Sequence, residues 1–325
     1  MQHRAMNTAT SWSVTEAGVL TGAVNRAPSV HNTQPWSLQT GERMAELSER
    51  HGIVLPLHDP EGREPILSCG AAMANLDLAM RALGRDTTTM LFPELARPSL
   101  VARLHADEPR EATAAEMDWY TAIFRRRSYR APFGPHRLTG HTVRTLADSA
   151  GGDGARARAI DGTAELRALA ELLLCAAELL RDDRAYQREL VAWTAQFPGP
   201  LREPSTLPWA GPVRESSRLP DVITLTERLA AERLLVVLTP EDTRRDHLLA
   251  GAAMQRIWLT AICHGLVGSV LTQPLHLRET RAGLIDKLAL PGHPQAILRF
   301  GYPVTARPLP REAVVTHGDR EGFPG

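Results

Sequence analysis

The sequence repeats itself once, and that duplication limits the folds open to it. Gly70-Ala-Ala-Met-Ala-Asn-Leu-Asp-Leu-Ala-Met-Arg-Ala-Leu-Gly84 aligns without a gap on Gly251-Ala-Ala-Met-Gln-Arg-Ile-Trp-Leu-Thr-Ala-Ile-Cys-His-Gly265, 181 residues further on, with six of fifteen positions identical. A unit that recurs only twice suggests two fused copies of one domain, not a solenoid. Each copy follows an apolar run that ends at a proline turn, 53–57 before Pro60 and 234–238 before Pro240, which predicts a buried strand entering a loop. Each precedes a further strand candidate, 99–105 and 295–300, with Arg103 and Arg299 in matching places. The repeated helix is apolar nearly all round and small at its start, as expected of a helix buried at a close helix–helix contact. Amphipathic helices are predicted at 14–26 and 138–149, and one at 116–125 crosses between the halves. The expectation is an α+β fold occurring twice, with halves 1–115 and 116–325.

Composition narrows the function. The chain of 325 residues has 37 basic and 37 acidic side chains, so no net charge draws it to a polyanion, and a nucleic-acid partner is not expected. Hydrophobic residues at 43% and charged ones at 23% suit a globular protein with a real core. Lys287 is the only lysine, an arginine bias that reads as genome composition. Cys69, Cys175 and Cys263 are widely separated, which suggests neither a disulfide framework nor a zinc site and fits a reducing cytoplasm. The longest apolar stretch, 166–180, is too short for a bilayer and carries Arg167, Glu171 and Glu178, and the N-terminus lacks the apolar core of a signal peptide. No membrane association is expected. There is no G-x-S-x-G elbow, H-E-x-x-H helix, G-x-G-x-x-G loop or P-loop, and no histidines stand at metal-ligand spacing.

One region has no counterpart in the first half. The insertion at 182–222 carries Pro198, Pro200, Pro204, Pro208, Pro212 and Pro220, which argue against long regular elements, yet it keeps Trp193, Phe197 and Trp209. Such aromatics favour a lid that packs on something over a plain linker.

Two segments could carry chemistry. Arg26-Ala-Pro-Ser-Val-His-Asn-Thr-Gln-Pro-Trp36 follows an amphipathic helix, and its prolines demand a stiff, irregular loop. Ser29, Asn32 and Gln34 offer neutral donors and acceptors suited to the polar edge of a flat heterocycle, although a capped helix end would also account for part of the pattern. The second segment, Arg125-Arg-Arg-Ser-Tyr-Arg-Ala-Pro-Phe133, has four arginines in six residues. It reads either as a solvated face or, if extended, as Arg126, Ser128 and Arg130 turned the same way toward a phosphate.

Together these segments resemble the FMN-dependent nitroreductase superfamily, in particular its Acg-like branch, in which two nitroreductase-like halves share one chain. The marks are Ala27-Pro-Ser-Val-His-Asn-Thr-Gln-Pro-Trp36, Arg126-Arg-Ser-Tyr-Arg130, the small-residue helix ending in Gly265-Leu266, and Leu290-Pro-Gly-His-Pro-Gln-Ala-Ile-Leu-Arg-Phe-Gly-Tyr-Pro303, spread over almost the whole chain. The resemblance implies a nitroreductase-like fold duplicated so that one chain mimics the intertwined homodimer, as a pseudo-dimer with or without further association. It implies that Arg126, Ser128 and Arg130 hold the FMN phosphate and ribityl end, and that Pro28, Ser29 and Asn32 hold the ring. Arg307, or less well Arg311, matches the C-terminal phosphate ligand, and the backbone at Thr272 and Gln273 runs past the ring.

The implied activity is oxidoreduction, with hydride passing from NAD(P)H to flavin N5 and on to a small-molecule acceptor. No protein group need act as a general base, His31 being the one candidate proton donor. Alternatives are a lidded protein that sequesters FMN with little turnover, or an FMN-dependent dehydrogenase of a biosynthetic intermediate. The first half lacks an arginine motif, and Ala150-Gly-Gly-Asp-Gly154 stands where a second ring loop would be needed, so one FMN per chain is expected.

Overall fold

The computed structural model describes residues 11–50, 56–152, 154–196 and 213–304. The first part of the chain forms α1 (Val14–Val24), β1 (Trp36–Gly41), β2 (Met44–Glu49), α2 (Arg63–Ala82), β3 (Arg85–Leu91) and β4 (Leu100–Pro109). After α3 (Ala114–Arg125) come α4 (Gly140–Asp148), β5 (Arg156–Ile160), α5 (Thr163–Asp182), α6 (Arg184–Gln196) and α7 (Val222–Ala230). The chain continues through β6 (Arg233–Thr239), α8 (Arg244–Cys263), β7 (Val267–Leu271), α9 (Arg278–Lys287) and β8 (His293–Gly301). Sequence caps set several helix starts: Ser13 and Glu16 form a capping box on α1, Thr113 and Glu116 on α3, and Thr243 and Asp246 on α8.

The duplication is visible in the sheets. Both are four-stranded and antiparallel, ordered β1-β2-β4-β3 and β5-β6-β8-β7, one topology used twice. The repeated helices α2 and α8 cross at their small residues. A Cβ on Gly70 would come within 2.9 Å of the Leu248 carbonyl carbon, and one on Gly251 within 2.7 Å of that of Leu67, each still closer to the oxygen. Leu67 and Leu248 are themselves 181 residues apart, so the crossing lies on an approximate two-fold axis.

The largest core joins both halves: Leu20, Leu47, Leu76, Trp258, Val237 and Leu298 belong to one buried cluster. Strand β6 is buried on both faces. Leu235 and Val237 face that cluster, while Leu234, Val236 and Leu238 face a second one built with α5, α6, α7 and α9. Among the described residues no helix is long and apolar enough to cross a membrane.

Three expectations change. The repeated helices start seven residues before the aligned motif, at Arg63 and Arg244. Of the strand expected at 53–57, residues 53–55 lie outside the described residues and 56–57 fall in a turn; the strand equivalent to β6 is β2, whose mixed Met44-Ala-Glu-Leu-Ser-Glu49 gives little apolar signal. The insertion contains a regular element after all, α6, because its prolines begin only at Pro198. Asp183 accepts from the N–H of Ala185 and Tyr186 at its start, and Tyr186 and Leu190 bury one face. The possible lid segment 197–212 lies outside the described residues.

Candidate functional site

The arginine segment is extended, as its alternation requires. Arg126 leaves the helical region (φ −56°, ψ 127°), Ser128 bridges Gly268 in parallel, and Tyr129 N–H donates to the Gly268 carbonyl at 2.8 Å. The segment thus runs along β7, held from beneath by Arg299. The Arg299 guanidinium donates to the carbonyls of Arg130 and Ala131, each at 3.4 Å, and lies 4.6 Å from the centre of the Phe133 ring. Arg299 is itself fixed by a two-pronged ion pair with Glu232, at 2.7 and 2.6 Å, and both side chains are buried.

Arg126 carries the electrostatics. Its guanidinium lies 4.7 Å from the centre of the Trp258 ring, and one Nη donates to the carbonyl of Arg26 at 3.3 Å. That bond brings the arginine segment against the loop of the other half, 100 residues away in sequence. Arg126 Nε and Nη1 and Trp258 Nε1 are buried without a partner, and among the described residues no carboxylate pairs with Arg126. Burial, reinforced by the Arg127 and Arg26 charges, pushes its pKa down to about 10. Donors without acceptors around an unneutralised cation make a cradle for an anion.

The loop is tied down at several points. Ser29 Oγ accepts from Gln34 N–H at 3.0 Å, Gln34 Nε2 donates to the Asn25 carbonyl at 3.0 Å, and Cys69 Sγ contacts the Pro35 carbonyl at 3.4 Å. Asn32 and Gln34 sit at φ of 59° and 47°, a left-handed conformation held against a cost of about 1–3 kcal/mol each and a frequent mark of binding loops. Asn32 is exposed, Pro28 and Ser29 half-buried. Behind the loop, Gln255 Nε2 donates to Asn75 Oδ1 at 2.8 Å, and Asn75 Nδ2 to the Ala23 carbonyl at 2.9 Å, tying the central helices to the end of α1.

The structure therefore joins Arg126, through the Arg26 carbonyl, to the loop that holds Pro28, Ser29 and Asn32, while Ser128 lies against Gly268 of β7 and Arg130 farther along the same segment. Thr272 and Gln273 lie just beyond the end of β7, and the Gln273 side chain donates to Tyr186 Oη instead of facing the loop. The His31 side chain, Arg307 and Arg311 lie outside the described residues. Trp258 and Arg299 were not expected at the site; the sequence signals were two, that Trp258 replaces Asp77 in the repeat and that Arg299 matches Arg103.

A second titratable cluster lies between α2 and the turn Gln273–His276. His276 is buried with Nε2 3.1 Å from Glu64 and Nδ1 3.5 Å from Asp59. Burial works against a charged ring there, but the two carboxylates outweigh it and raise the His276 pKa above its usual value. A raised folded-state value means that this cluster's contribution is complete below the unfolded value of about 6.5 and is lost as pH rises through the folded value. The melting temperature of the wild type is expected to fall more steeply between pH 6 and 9 than that of His276→Gln. Parallel curves would show that His276 is neutral in the fold.

No family model matches the chain. It is similar over 319 residues, at 32% identity, to the Mycobacterium tuberculosis protein named "Putative NAD(P)H nitroreductase Rv3131", with 94% of this chain and 90% of that protein covered. The chain belongs to the nitroreductase superfamily, in its Acg-like branch. Another M. tuberculosis relative, named "Putative NAD(P)H nitroreductase acg", is 29% identical over 287 residues, covering 85% of this chain and 86% of its own. Among solved structures, the FMN-dependent nitroreductase NfnB of Mycobacterium smegmatis in complex with NADPH is 17% identical, with a TM-score of 0.39, covering 58% of this chain and 89% of its own. A nitroreductase with bound FMN from Bacteroides fragilis is 16% identical, with a TM-score of 0.39, covering 63% of this chain and 98% of its own.

Proposed function

We propose that the chain is an FMN-dependent NAD(P)H oxidoreductase in which halves 1–115 and 116–325 act as a pseudo-dimer and together hold one FMN. The observation that carries this is Arg126: its guanidinium, without a carboxylate partner among the described residues, lies on Trp258 and bonds to the Arg26 carbonyl at the start of the loop of the other half. The donor set fits the group, because a phosphate dianion would supply the acceptors that Arg126 lacks. Arg126, Ser128 and Arg130 would hold the phosphate end, with Arg307 or Arg311 as further ligands. Pro28, Ser29 and Asn32 would hold the ring edge, and the backbone at Thr272 and Gln273 would pass beside it.

When bound, FMN would supply the redox chemistry, taking hydride equivalents from a nicotinamide and delivering them to a small electron acceptor. The chain's own residues orient and exclude. Pro28 presents a rigid apolar surface that keeps water off, and the strained backbone at Asn32 and Gln34 fixes the loop's polar edge before any ligand arrives. Arg299 does not reach the proposed ligand; it sets the path of 130–133 and so the direction of Arg130. The three cysteines of the chain are unpaired in the structure, which suits a reducing cytoplasm.

The test is the visible spectrum of the purified protein, alone and after anaerobic NADPH or NADH. A yellow protein that bleaches supports the reading, and a colourless one that FMN cannot reconstitute overturns it. Arg126→Ala is expected to weaken FMN binding by about 1.5–3 kcal/mol, roughly 10- to 150-fold, measured by flavin fluorescence quenching. Unchanged affinity would remove Arg126 from the phosphate site.

A further inference from the structure

Across the approximate two-fold axis from the arginine-and-loop site lies a cavity of about 480 Å³ between α2, β3, α3 and α8. A shift of 181 residues carries Asp77, Thr87 and Leu91 of its wall onto Trp258, Gly268 and Thr272. Trp258 lies under Arg126 and Gly268 pairs with Ser128, so this cavity is the counterpart of that site. Its lining has diverged. An aspartate stands in place of the tryptophan, and Glu116 and Trp119 of α3 close one side. It retains a volume typical of small-molecule sites.

Part of its charge is internally satisfied. Arg81 is paired with Asp77 at 3.1 Å, Asp86 at 3.0 Å and Glu116 at 3.4 Å, and Glu116 also takes Arg110 at 2.7 Å. Two arginines of α8 are not satisfied in this way. Arg256 donates from Nε at 3.0 Å and from Nη2 at 2.7 Å to the Ala150 carbonyl, and also from Nη2 to that of Gly151, and has no ion pair among the described residues. Burial holds its pKa below the usual arginine value, and the charge of Asp77 in the same wall offsets only part of that effect. Arg245 is exposed at the rim and likewise unpaired among the described residues. The two are about 16 Å apart along the helix axis, with Leu249 between them, so Arg256 can anchor a ligand while Arg245 draws anions to the mouth. The rest of the wall combines apolar Met73, Leu78, Leu91 and Leu249 with the hydroxyls of Thr87 and Thr89, and Trp119 is its aromatic face.

We propose that this cavity is a second binding site, for an aromatic carboxylate, with the ring among Leu78, Leu249 and Trp119 and the carboxylate at Arg256. The inference rests on the duplication and on the cavity's own residues, and does not depend on the flavin reading. A carboxylate there would neutralise the buried cation, and an uncharged analogue of the same shape would gain only the apolar contacts.

The experiment titrates 2-naphthoate and its uncharged amide, 2-naphthamide, into the full chain supplemented with FMN, by calorimetry. The expected result is one naphthoate per chain, bound at least about tenfold more tightly than the amide, with Arg256→Gln removing the difference. Leu249→Trp, which fills the cavity from its wall, is expected to abolish binding of both and to leave the visible spectrum unchanged. Equal binding of the two probes, binding that survives Leu249→Trp, or no binding of naphthoate up to millimolar concentration would each overturn the proposal. Should Arg256→Gln fail to fold, the comparison of probes and Leu249→Trp still decide it.

Discussion

Replacing Gly251 with alanine is expected to destabilise the protein by about 3 kcal/mol or more, and Gly70→Ala by a similar amount. Each added methyl would be driven into the backbone of the partner helix, at the Leu67 or Leu248 carbonyl, where no side chain can swing away. Alanine's better helix propensity returns only about 1 kcal/mol, so the collision wins. Gly18 and Gly22 of α1 provide the contrast, since a Cβ there meets nothing within 4 Å. Gly18→Ala and Gly22→Ala are expected to be neutral or slightly stabilising. Urea midpoints for the four variants test the prediction, and it fails if Gly70→Ala and Gly251→Ala melt like the α1 pair.

The second large effect is expected at Glu232. Glu232→Ala removes the carboxylate that neutralises Arg299, a side chain with no exposed surface, and should cost about 3–5 kcal/mol because an uncompensated charge is left buried. Replacing both partners, Glu232→Leu with Arg299→Met, should recover much of that loss, since a well-packed apolar pair avoids the desolvation penalty. The double variant would still lack the donors to the Arg130 and Ala131 carbonyls. It is therefore expected to fold yet bind FMN more weakly than the wild type. Denaturant midpoints together with a flavin titration separate the two effects; a single variant as stable as the wild type would show that Glu232 does not offset the Arg299 charge.

What could be read in the sequence follows the strength of the physical constraint. The crossing of α2 and α8 was legible because close backbone approach admits only the small residues of Gly-Ala-Ala, and both partners of the contact bear the same mark. Strands β4, β6 and β8 were legible because burial on one or both faces makes them apolar. The hairpin of β1 and β2 was not, since Ser37, Gln39 and Glu46 lie on a face that meets water or ion pairs and carry no contrast. The arginine segment and the loop stood out as separate anomalies, and their meeting through Arg126 and Arg26 depends on a fold that joins residues a hundred positions apart. The Arg299–Glu232 pair was invisible because a buried ion pair is a tertiary fact: each residue alone looks like surface charge. The diverged cavity was hidden for a similar reason, as its wall draws on four elements of both halves.

The shared core also determines when the chain can finish folding. Helix α2 is buried on nearly every side, and the surface that covers it most closely belongs to α8. At a synthesis rate of roughly 5–20 residues per second, the partner stretch follows only after on the order of 10–40 s. For that interval the nascent first half carries an apolar helix with nothing to cover it, the situation in which growing chains aggregate or recruit chaperones. A separate-subunit dimer must find its covering helix by diffusion, at a rate set by concentration. Here the covering helix arrives tethered, so the exposure ends on the ribosome's clock and does not depend on how much of the protein the cell contains.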